Sequence, residues 1–453
     1  MFSVKSVVKT IRMFMKTAFA TLFLFAASLF AADSKPNVIL ILADDLGIEA
    51  LGCYGGISYN TPNLDRLAAE GVRFDDAHAV PLCTPTRVSL MTGKYGFRNW
   101  IAFGILDPEV RTFGHWFSDA GYKTCISGKW QLRSYNPPEY MPEWRNRGMR
   151  AEDSGFDEYF LWHTEHTEDK ASRYAQPRIQ TNGTYVKNTE DQYGPDLNVD
   201  YINDFMERNQ DEPFFVYYPM ALTHGPFNPT PDSDSWESGD RLEVNSGKYF
   251  GDMVDYMDKM IGRIDSKLTE LGIRDNTLLI FYGDNGTPGG VVSKMMDGRS
   301  ISGGKGENNR RGTHVPLVVN WPAAQSGGRV VSDLVDTSDF VPSILEAAGI
   351  GLPHSEAFDG RSFIPQLKGD DGDPRDWIYI HHDPLPGHNK EGRSIACWIQ
   401  DKRYKLFDET RGDRFYDFTV DPEEQRPIDL ATADADAKAA HAKLKASLAS
   451  LDR

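Results

Sequence analysis

Four short runs of branched and aromatic residues recur along the chain almost without polar interruption: residues 37–43 (NVILILA), 213–218 (PFFVYY), 277–282 (TLLIFY) and 315–320 (VPLVVN). Runs of this length and composition predict strands covered on both faces of a sheet. Amphipathic stretches of helical length lie between them, at residues 62–71, 200–208 and 249–271. Strands alternating with helices predict an α/β fold, a large and mainly parallel mixed sheet sandwiched by helices. After about residue 370 the texture changes. Residues 377–381, 394–399, 404–408 and 415–418 are short, β-rich and separated by turn residues, which predicts a small antiparallel sheet. The alanine-rich tail 434–451 predicts one closing helix. The expected organisation is a main α/β domain over 33–370 and an α+β subdomain over 371–453.

The N-terminus has a different pattern. Lys5, Lys9, Arg12 and Lys16 precede an apolar run, residues 17–30, that ends in Ala31-Ala32. This is the order of a secretory signal peptide, assigned to residues 1–32. The run falls short of the ~20 residues a spanning helix needs, so no stable membrane span is expected after cleavage. No cysteine follows it to carry a lipid, and Met13 and Met15 stand as alternative starts. The mature chain is expected to be exported, periplasmic or secreted.

Composition narrows the partners. The 453 residues carry a formal charge of -17, with 40% hydrophobic and 12% aromatic content, enough for a sizeable core. Nucleic acid is excluded as a partner, because phosphate binding needs a basic footprint. An anionic ligand would need a local cluster of cations. The four cysteines, Cys53, Cys83, Cys125 and Cys397, are too few for a disulfide scaffold.

Candidate chemistry clusters at the exits of the apolar runs. Ligands of parallel α/β sheets bind beyond the carboxyl ends of strands. Asp44-Asp45 leaves the first run, and Gly283-Asp284-Asn285-Gly286 leaves a later one. Carboxylates and an amide, without imidazole or thiolate, suit Ca²⁺ or Mg²⁺ better than zinc. Each pair alone also fits a turn or a helix cap. Cys83-Thr84-Pro85-Thr86-Arg87 is followed by Thr92-Gly93-Lys94; Pro85 is expected to fix a turn and Arg87 to bring in a permanent charge. No cysteine-peptidase signature surrounds Cys83. Lys129 in Gly128-Lys129-Trp130, His224 in Thr223-His224-Gly225-Pro226, and Lys305 in Ser302-Gly303-Gly304-Lys305-Gly306 add cations. Taken singly, each also reads as a solvated lysine or a structural histidine.

Together these motifs carry a resemblance. NVILILADDLG, PLCTPTRVSLMTGK, GKW, GFDEYF, THGPF, GDNG, GGKG, HVP, FDGRSF and the late YDF..DPEE occur in this order between Asn37 and about Asp421. On them the chain resembles the type I, formylglycine-dependent sulfatases of the alkaline phosphatase superfamily. The resemblance implies an alkaline-phosphatase-like fold whose domain 33–370 is catalytic, and cleavage of sulfate from a sulfated carbohydrate. It implies that Cys83 is the modified residue, converted to formylglycine by a separate maturase. An aldehyde there hydrates to geminal hydroxyls; one attacks sulfur, and the other loses its proton so that sulfate is expelled, a route closed to cysteine or serine. It further implies one Ca²⁺ per chain on Asp44, Asp45, Asp284, Asn285 and the converted Cys83. Arg87 would hold the hydrate, and Lys129 and Lys305 the sulfate. His224 with Lys305 would serve the leaving oxygen, and Asp284 could take the nucleophile's proton.

Two departures stand out. Gln131 occupies the place where the family commonly has a histidine, among the substrate-binding set Lys129, Gln131, His224 and Lys305. Glutamine donates a hydrogen bond but carries no proton at neutral pH. Arg310-Arg311-Gly312 replaces a usual EGG, a substrate-side change. If Cys83 is converted, an odd three cysteines remain and at most one bridge can form. The alternatives are a phosphodiesterase or phosphonate monoester hydrolase of the same superfamily, which typically has histidine where Asn285 stands, and a non-catalytic carbohydrate-binding protein on a sulfatase fold. Between Arg133 and Arg178, a segment with Trp144, Arg145, Arg147, Arg150, Trp162, His163 and His166 could bind an anionic, stacked sugar ring. His381 and His382 are candidates for the pocket mouth. A sulfated polysaccharide or its oligosaccharides is the expected substrate.

Overall fold

The computed structural model describes residues 35–134, 142–237, 241–242, 244–325, 327–384 and 395–452. The leader expected over 1–32 lies outside them. The main sheet has ten strands. Eight of them are β1 (Asn37–Ala43), β2 (Val72–His78), β3 (Lys123–Lys129), β4 (Glu158–Trp162), β5 (Ile179–Thr181), β6 (Thr184–Tyr185), β7 (Phe214–Pro219) and β8 (Thr277–Gly283). A two-stranded hairpin follows, β9 (Val292–Lys294) and β10 (Ser300–Ser302), before β11 (Leu317–Asn320) and β12 (Arg329–Asp336) complete the main sheet. The strand order is β12-β2-β11-β8-β1-β7-β3-β4-β5-β6.

Side-chain alternation on β1 explains the sandwich. Val38, Leu40 and Leu42 face one core, with the helices Cys83–Thr92, Phe113–Asp119 and Phe340–Ala347. Ile39, Ile41 and Ala43 face the other, with the helices Pro62–Glu70, Gly194–Arg208 and Phe250–Glu270. Both faces are dry, which is why the run reads as unbroken apolar sequence. The second helix starts before residue 200 because Pro195, in its first turn, has no amide hydrogen to leave unsatisfied.

The sheet is parallel through its centre but departs from the expected pattern at VPLVVN. That run forms β11, which is antiparallel to both β2 and β8. The chain returns from the loop beyond the carboxyl end of β8 without a crossover helix, so the next strand must start at that same end. β2 (VRFDDAH) escapes a search for apolar runs. Its polar positions are satisfied in space: Arg73 pairs with Asp75 at 2.9 Å, and Asp76 meets His78 at 3.0 Å and Arg310 at 2.7 Å.

The smaller sheet runs in chain order: β13 (Ile378–His382), β14 (Ala396–Gln400), β15 (Tyr404–Phe407) and β16 (Phe415–Asp417), all antiparallel. One face, with Tyr379, Ile399, Leu406 and Phe415, packs on Leu444 and Leu448 of the closing helix Ala435–Ser450. The other, with Ile378, Ile380, Trp398 and Phe407, packs on Leu334 of β12 and on Val80. The small sheet therefore sits beside the loops that leave β2. Cys53, Cys83, Cys125 and Cys397 are all free thiols. Among the described residues, no helix is long and apolar enough to cross a membrane.

Candidate active site

Five parallel strands deliver the candidate residues to one end of the sheet. The register of β1 and β8 sets Ala43 opposite Gly283, so Asp44 and Asp45 leave the sheet beside Asp284 and Asn285. Backbone hydrogen bonds lace these exits: Asp284 N to Ala43 O at 3.0 Å, Leu46 N to Asn285 O at 3.0 Å, and Thr223 N to Asp44 O at 2.7 Å. Lys129 ends β3, and Gly128 before it has φ 132°; a Cβ there would collide with the carbonyl oxygen of Pro219 on β7. Glycine is what lets the two strands close next to the lysine.

Cys83 begins a helix, Cys83–Thr92, that is buried on every side. Pro85 was expected to fix a turn; it lies instead in the first turn of this helix, where its missing amide hydrogen leaves no bond unmade. The helix ends at Gly93, whose left-handed φ of 69° closes it. Arg87 follows Cys83 by one helical turn and shares its face. It is 1% exposed; one Nη donates to Lys129 O at 2.6 Å, while Nε and the other Nη have no partner. Such buried donors are costly, about 1–3 kcal/mol each, until an acceptor meets them.

Asp44, Cys83 and Asp284 bring one ligand atom each within 4.8 Å of one another. Asp44 Oδ2 meets Lys129 Nζ at 2.6 Å, both side chains 2% exposed. Asp45 meets Lys305 Nζ at 2.7 Å and His224 Nε2 at 3.8 Å, and its Oδ1 accepts from Asn285 Nδ2 at 2.9 Å. Two acceptors, Asp44 Oδ1 and Asn285 Oδ1, are buried with no hydrogen-bond partner. Burial, then the charges of Asp44, Cys83 and Asp45, push the Asp284 carboxyl well above the usual range. Burial alone would raise Asp44 too, but Lys129, His224 and Lys305 hold it well below. Crowded carboxylates with orphaned oxygens and no soft ligand beyond position 83 are the donor set a hard divalent cation fits.

The cations differ in character. Burial opposes the charge of Lys305, yet Asp45, Cys83 and Asp44 hold its pKa above the ordinary value. His224 is pushed down to about 4, first by burial, against the pull of Asp45 and Asp44. Its Nδ1 lies 2.6 Å from Gly225 O and donates to it, which leaves Nε2 as the ring atom on the Asp45 side. Gln131 is 5% exposed with φ 46°, and its backbone N–H donates to His163 O at 3.0 Å.

The loop that carries Lys305 is tied from several sides. Lys305 N donates to Thr287 O at 3.0 Å and Gly306 N to Pro81 O at 2.9 Å. Farther along, Asn308 accepts from Lys405 at its carbonyl and meets His382 Nδ1 at 2.8 Å. His382 thus holds this loop from the small sheet, and His381 lies 3.2 Å from Cys397 Sγ. Lys94 of the TGK motif pairs with Glu356 at 2.6 Å, away from the carboxylates. Arg310 pairs with Asp76 at 2.7 Å, and Arg311 with Glu307 at 2.7 Å and Glu423 at 2.8 Å. In the 133–178 segment, Arg145 pairs with Glu168 at 2.6 Å, Arg150 with Glu152 at 3.4 Å, and Arg147 lies over the Trp144 ring. Trp162 and His163 are buried at the end of β4. Arg173, unmarked by any motif, reaches the Trp162 ring with 4.1 Å to its centroid.

Comparison with known proteins agrees with this geometry. The sulfatase family profile matches residues 36–350, and a profile described as N-sulphoglucosamine sulphohydrolase, C-terminal, matches residues 309–453. Arylsulfatase A of Homo sapiens is 29% identical over 436 residues, covering 89% of this chain and 80% of that protein. N-acetylgalactosamine-6-sulfatase of Canis lupus familiaris is 31% identical over 400 residues, covering 80% and 72%. Among solved structures, a protein in complex with its substrate D-glucosamine-2-N,6-O-disulfate matches with TM-score 0.70 at 22% identity, over 92% of this chain and 98% of that one. Phosphonate monoester hydrolase of Agrobacterium radiobacter matches with TM-score 0.67 at 21% identity, over 92% and 95%. At these identities the two structures speak for a shared fold. With the profile covering most of the chain, and a relative above 30% identity aligned over four-fifths of it, the chain belongs to the sulfatase family of sulfuric ester hydrolases.

Proposed function

We propose that the chain removes sulfate from a sulfated carbohydrate by attack on sulfur from a formylglycine at position 83. The observation that carries this reading is the set of unsatisfied buried groups around Cys83: two donor nitrogens of Arg87 and the acceptor oxygens of Asp44 and Asn285. Asp44, Asp45, Asp284 and Asn285 would hold a calcium ion together with position 83. When present, the calcium supplies two positive charges to a set where three carboxylates, Asp44, Asp45 and Asp284, only balance Arg87, Lys129 and Lys305, and the converted Cys83 supplies the hydroxyl nucleophile. The remaining work falls to the side chains. Arg87 turns its free donors to the hydroxyls at position 83. Lys129 and Lys305 bind sulfate oxygens, and Lys305, held charged, also carries the proton that the leaving oxygen takes up. His224, fixed by Gly225 O, turns Nε2 to that same oxygen as the acceptor for the hydroxyl that forms. Asp284, the carboxylate beside position 83, takes the nucleophile's proton, because Gln131 has none to exchange. The catalytic unit over 33–370, the α+β subdomain over 371–453 and export by the N-terminal leader complete this reading.

Sulfate release from a panel of defined sulfated sugars, by protein co-produced with a formylglycine-generating maturase, tests it. Release from at least one sugar is expected; hydrolysis of phosphodiesters with no sulfate ester cleaved would overturn it. Calcium removal gives a second readout. A chelator is expected to abolish sulfate release and to lower the thermal midpoint. Calcium at about 100 times its Kd should restore about 2.7 kcal/mol of stability. A midpoint indifferent to calcium would argue against the assigned ligands.

A further inference from the structure

The cations of the 133–178 segment are not equivalent. Arg133, Arg145 and Arg150 each meet a carboxylate, on Glu165, Glu168 and Glu152. Arg147, Arg178 and Arg173 lie instead against the rings of Trp144, Tyr185 and Trp162, and of these three the least exposed is Arg173. Among the described residues it meets no carboxylate at ion-pair distance, and its Nη1 is buried without a hydrogen-bond partner. Its guanidinium is held flat against Trp162, 4.1 Å from the ring centroid, a contact worth about 0.5–2 kcal/mol that fixes its plane in advance.

Its place in the fold is well defined. Trp162 sits level with Lys129 in the parallel pair β3–β4. On the other side, the hydroxyl of the next residue, Tyr174, donates to Ala221 O at 2.7 Å and to His224 O at 2.5 Å. Arg173 is thereby tied to the strand end that bears Lys129 and to the loop that bears His224. The electrostatics agree: burial first, and then the charges of Arg173 and Lys129, push down Lys170, and burial, then Lys170, Lys129 and Arg173, push down His163. Positive charge accumulates here with no carboxylate to absorb it on Arg173.

We propose that Arg173 forms a second anion subsite beside the sulfate cradle, for a further anionic group, a sulfate or a carboxylate, on the sugar whose sulfate is cleaved or on its neighbour. This rests on the sulfatase reading and adds to it the class of substrate, a sugar with at least two anionic groups. A planar guanidinium with an unused donor takes either oxyanion, and stacking on Trp162 fixes its plane beside the strand end that bears Lys129.

Binding, measured apart from turnover, tests this. Calorimetry on the Cys83→Ala chain would compare a hexose monosulfate, the same hexose with a second sulfate, and the hexose monosulfate bearing a uronic carboxylate. One of the doubly anionic sugars is expected to bind about tenfold more tightly than the monosulfate, and whichever does names the group. Adding Arg173→Gln should remove that preference, and Arg173→Lys should keep part of it. Equal binding of all three sugars, or a preference that survives Arg173→Gln, would overturn the subsite. Turnover of the same sugars by the converted wild-type chain is read separately. Its absence would count against the sulfatase reading and leave the binding preference standing.

Discussion

Replacement of Cys83 by alanine is expected to lower sulfate ester hydrolysis by roughly four to six orders of magnitude, the scale seen when an essential nucleophile is removed. The fold should survive. Cys83 is 2% exposed and, among the described residues, its side chain makes no hydrogen bond that alanine would break, so loss of one sulfur costs about 1 kcal/mol. Arg87, Lys129 and the carboxylates keep their partners, which separates loss of chemistry from loss of structure. Serine at this position should behave differently from alanine. It offers one hydroxyl, enough to take a sulfuryl group and not enough to expel it, so the Cys83→Ser chain should accumulate one covalent sulfate and stop. Sulfate assay, thermal melting and mass spectrometry of the peptide holding residue 83 form one experiment. Full activity from wild-type protein whose Cys83 is unmodified throughout would sink the formylglycine mechanism.

Arg375→Met should destabilise the chain by about 3–5 kcal/mol without touching the candidate site. Arg375 is buried where the small sheet meets the main one. Its Nε lies 2.8 Å and 2.7 Å from the two carboxylate oxygens of Asp339, and its Nη groups reach Tyr95 Oη at 3.0 Å, Ser338 Oγ at 3.1 Å and Asp359 O at 2.8 Å. Removing the guanidinium leaves Asp339 and the neighbouring Asp336 buried with no counter-charge. The sign of the pH dependence follows. Burial first, and then Asp339, push Asp336 up to about 7 against the pull of Arg375. A raised carboxyl contributes stability at low pH that is lost as pH rises toward its folded value. Without Arg375, Asp336 favours its proton still more. The variant's deficit should therefore be largest above about pH 7 and shrink toward pH 5. Urea unfolding at the two pH values checks this, and equal deficits would refute the coupling.

How far the site could be read without coordinates differs by residue. Asp44, Asp45, Asp284 and Asn285 were legible because each pair leaves an apolar run, and strand ends in parallel sheets are where ligands bind. Lys129, His224 and Lys305 were legible from motif context, and all three lie against Asp44 or Asp45. The helix that begins at Cys83 was not. Its ten residues carry little amphipathic pattern because every one is buried, and Pro85 reads locally as a turn. β2 stayed hidden for the converse reason, since its charges are neutralised by partners such as Arg310, which is distant in sequence. Arg173 had no signal at all among the arginines of its segment. What sets it apart is its stacking on Trp162, level with Lys129, with a buried donor left over.

The sequence by itself determined the alternation of apolar runs and amphipathic stretches, and with it the sheet and the strand exits that carry the acidic pairs. These are properties of consecutive residues, and periodicity records them directly. Tertiary structure alone decided which charges meet. Lys129 and Asp44 are 85 positions apart, and Lys305 and Asp45 are 260 apart, yet each pair lies within 2.7 Å. Charge pairing depends on separation in space, and strand register with loop anchoring sets that separation. For the same reason, only the fold could show that Arg145 meets a carboxylate, on Glu168, while Arg173 lies flat on Trp162 with a buried donor that lacks an acceptor.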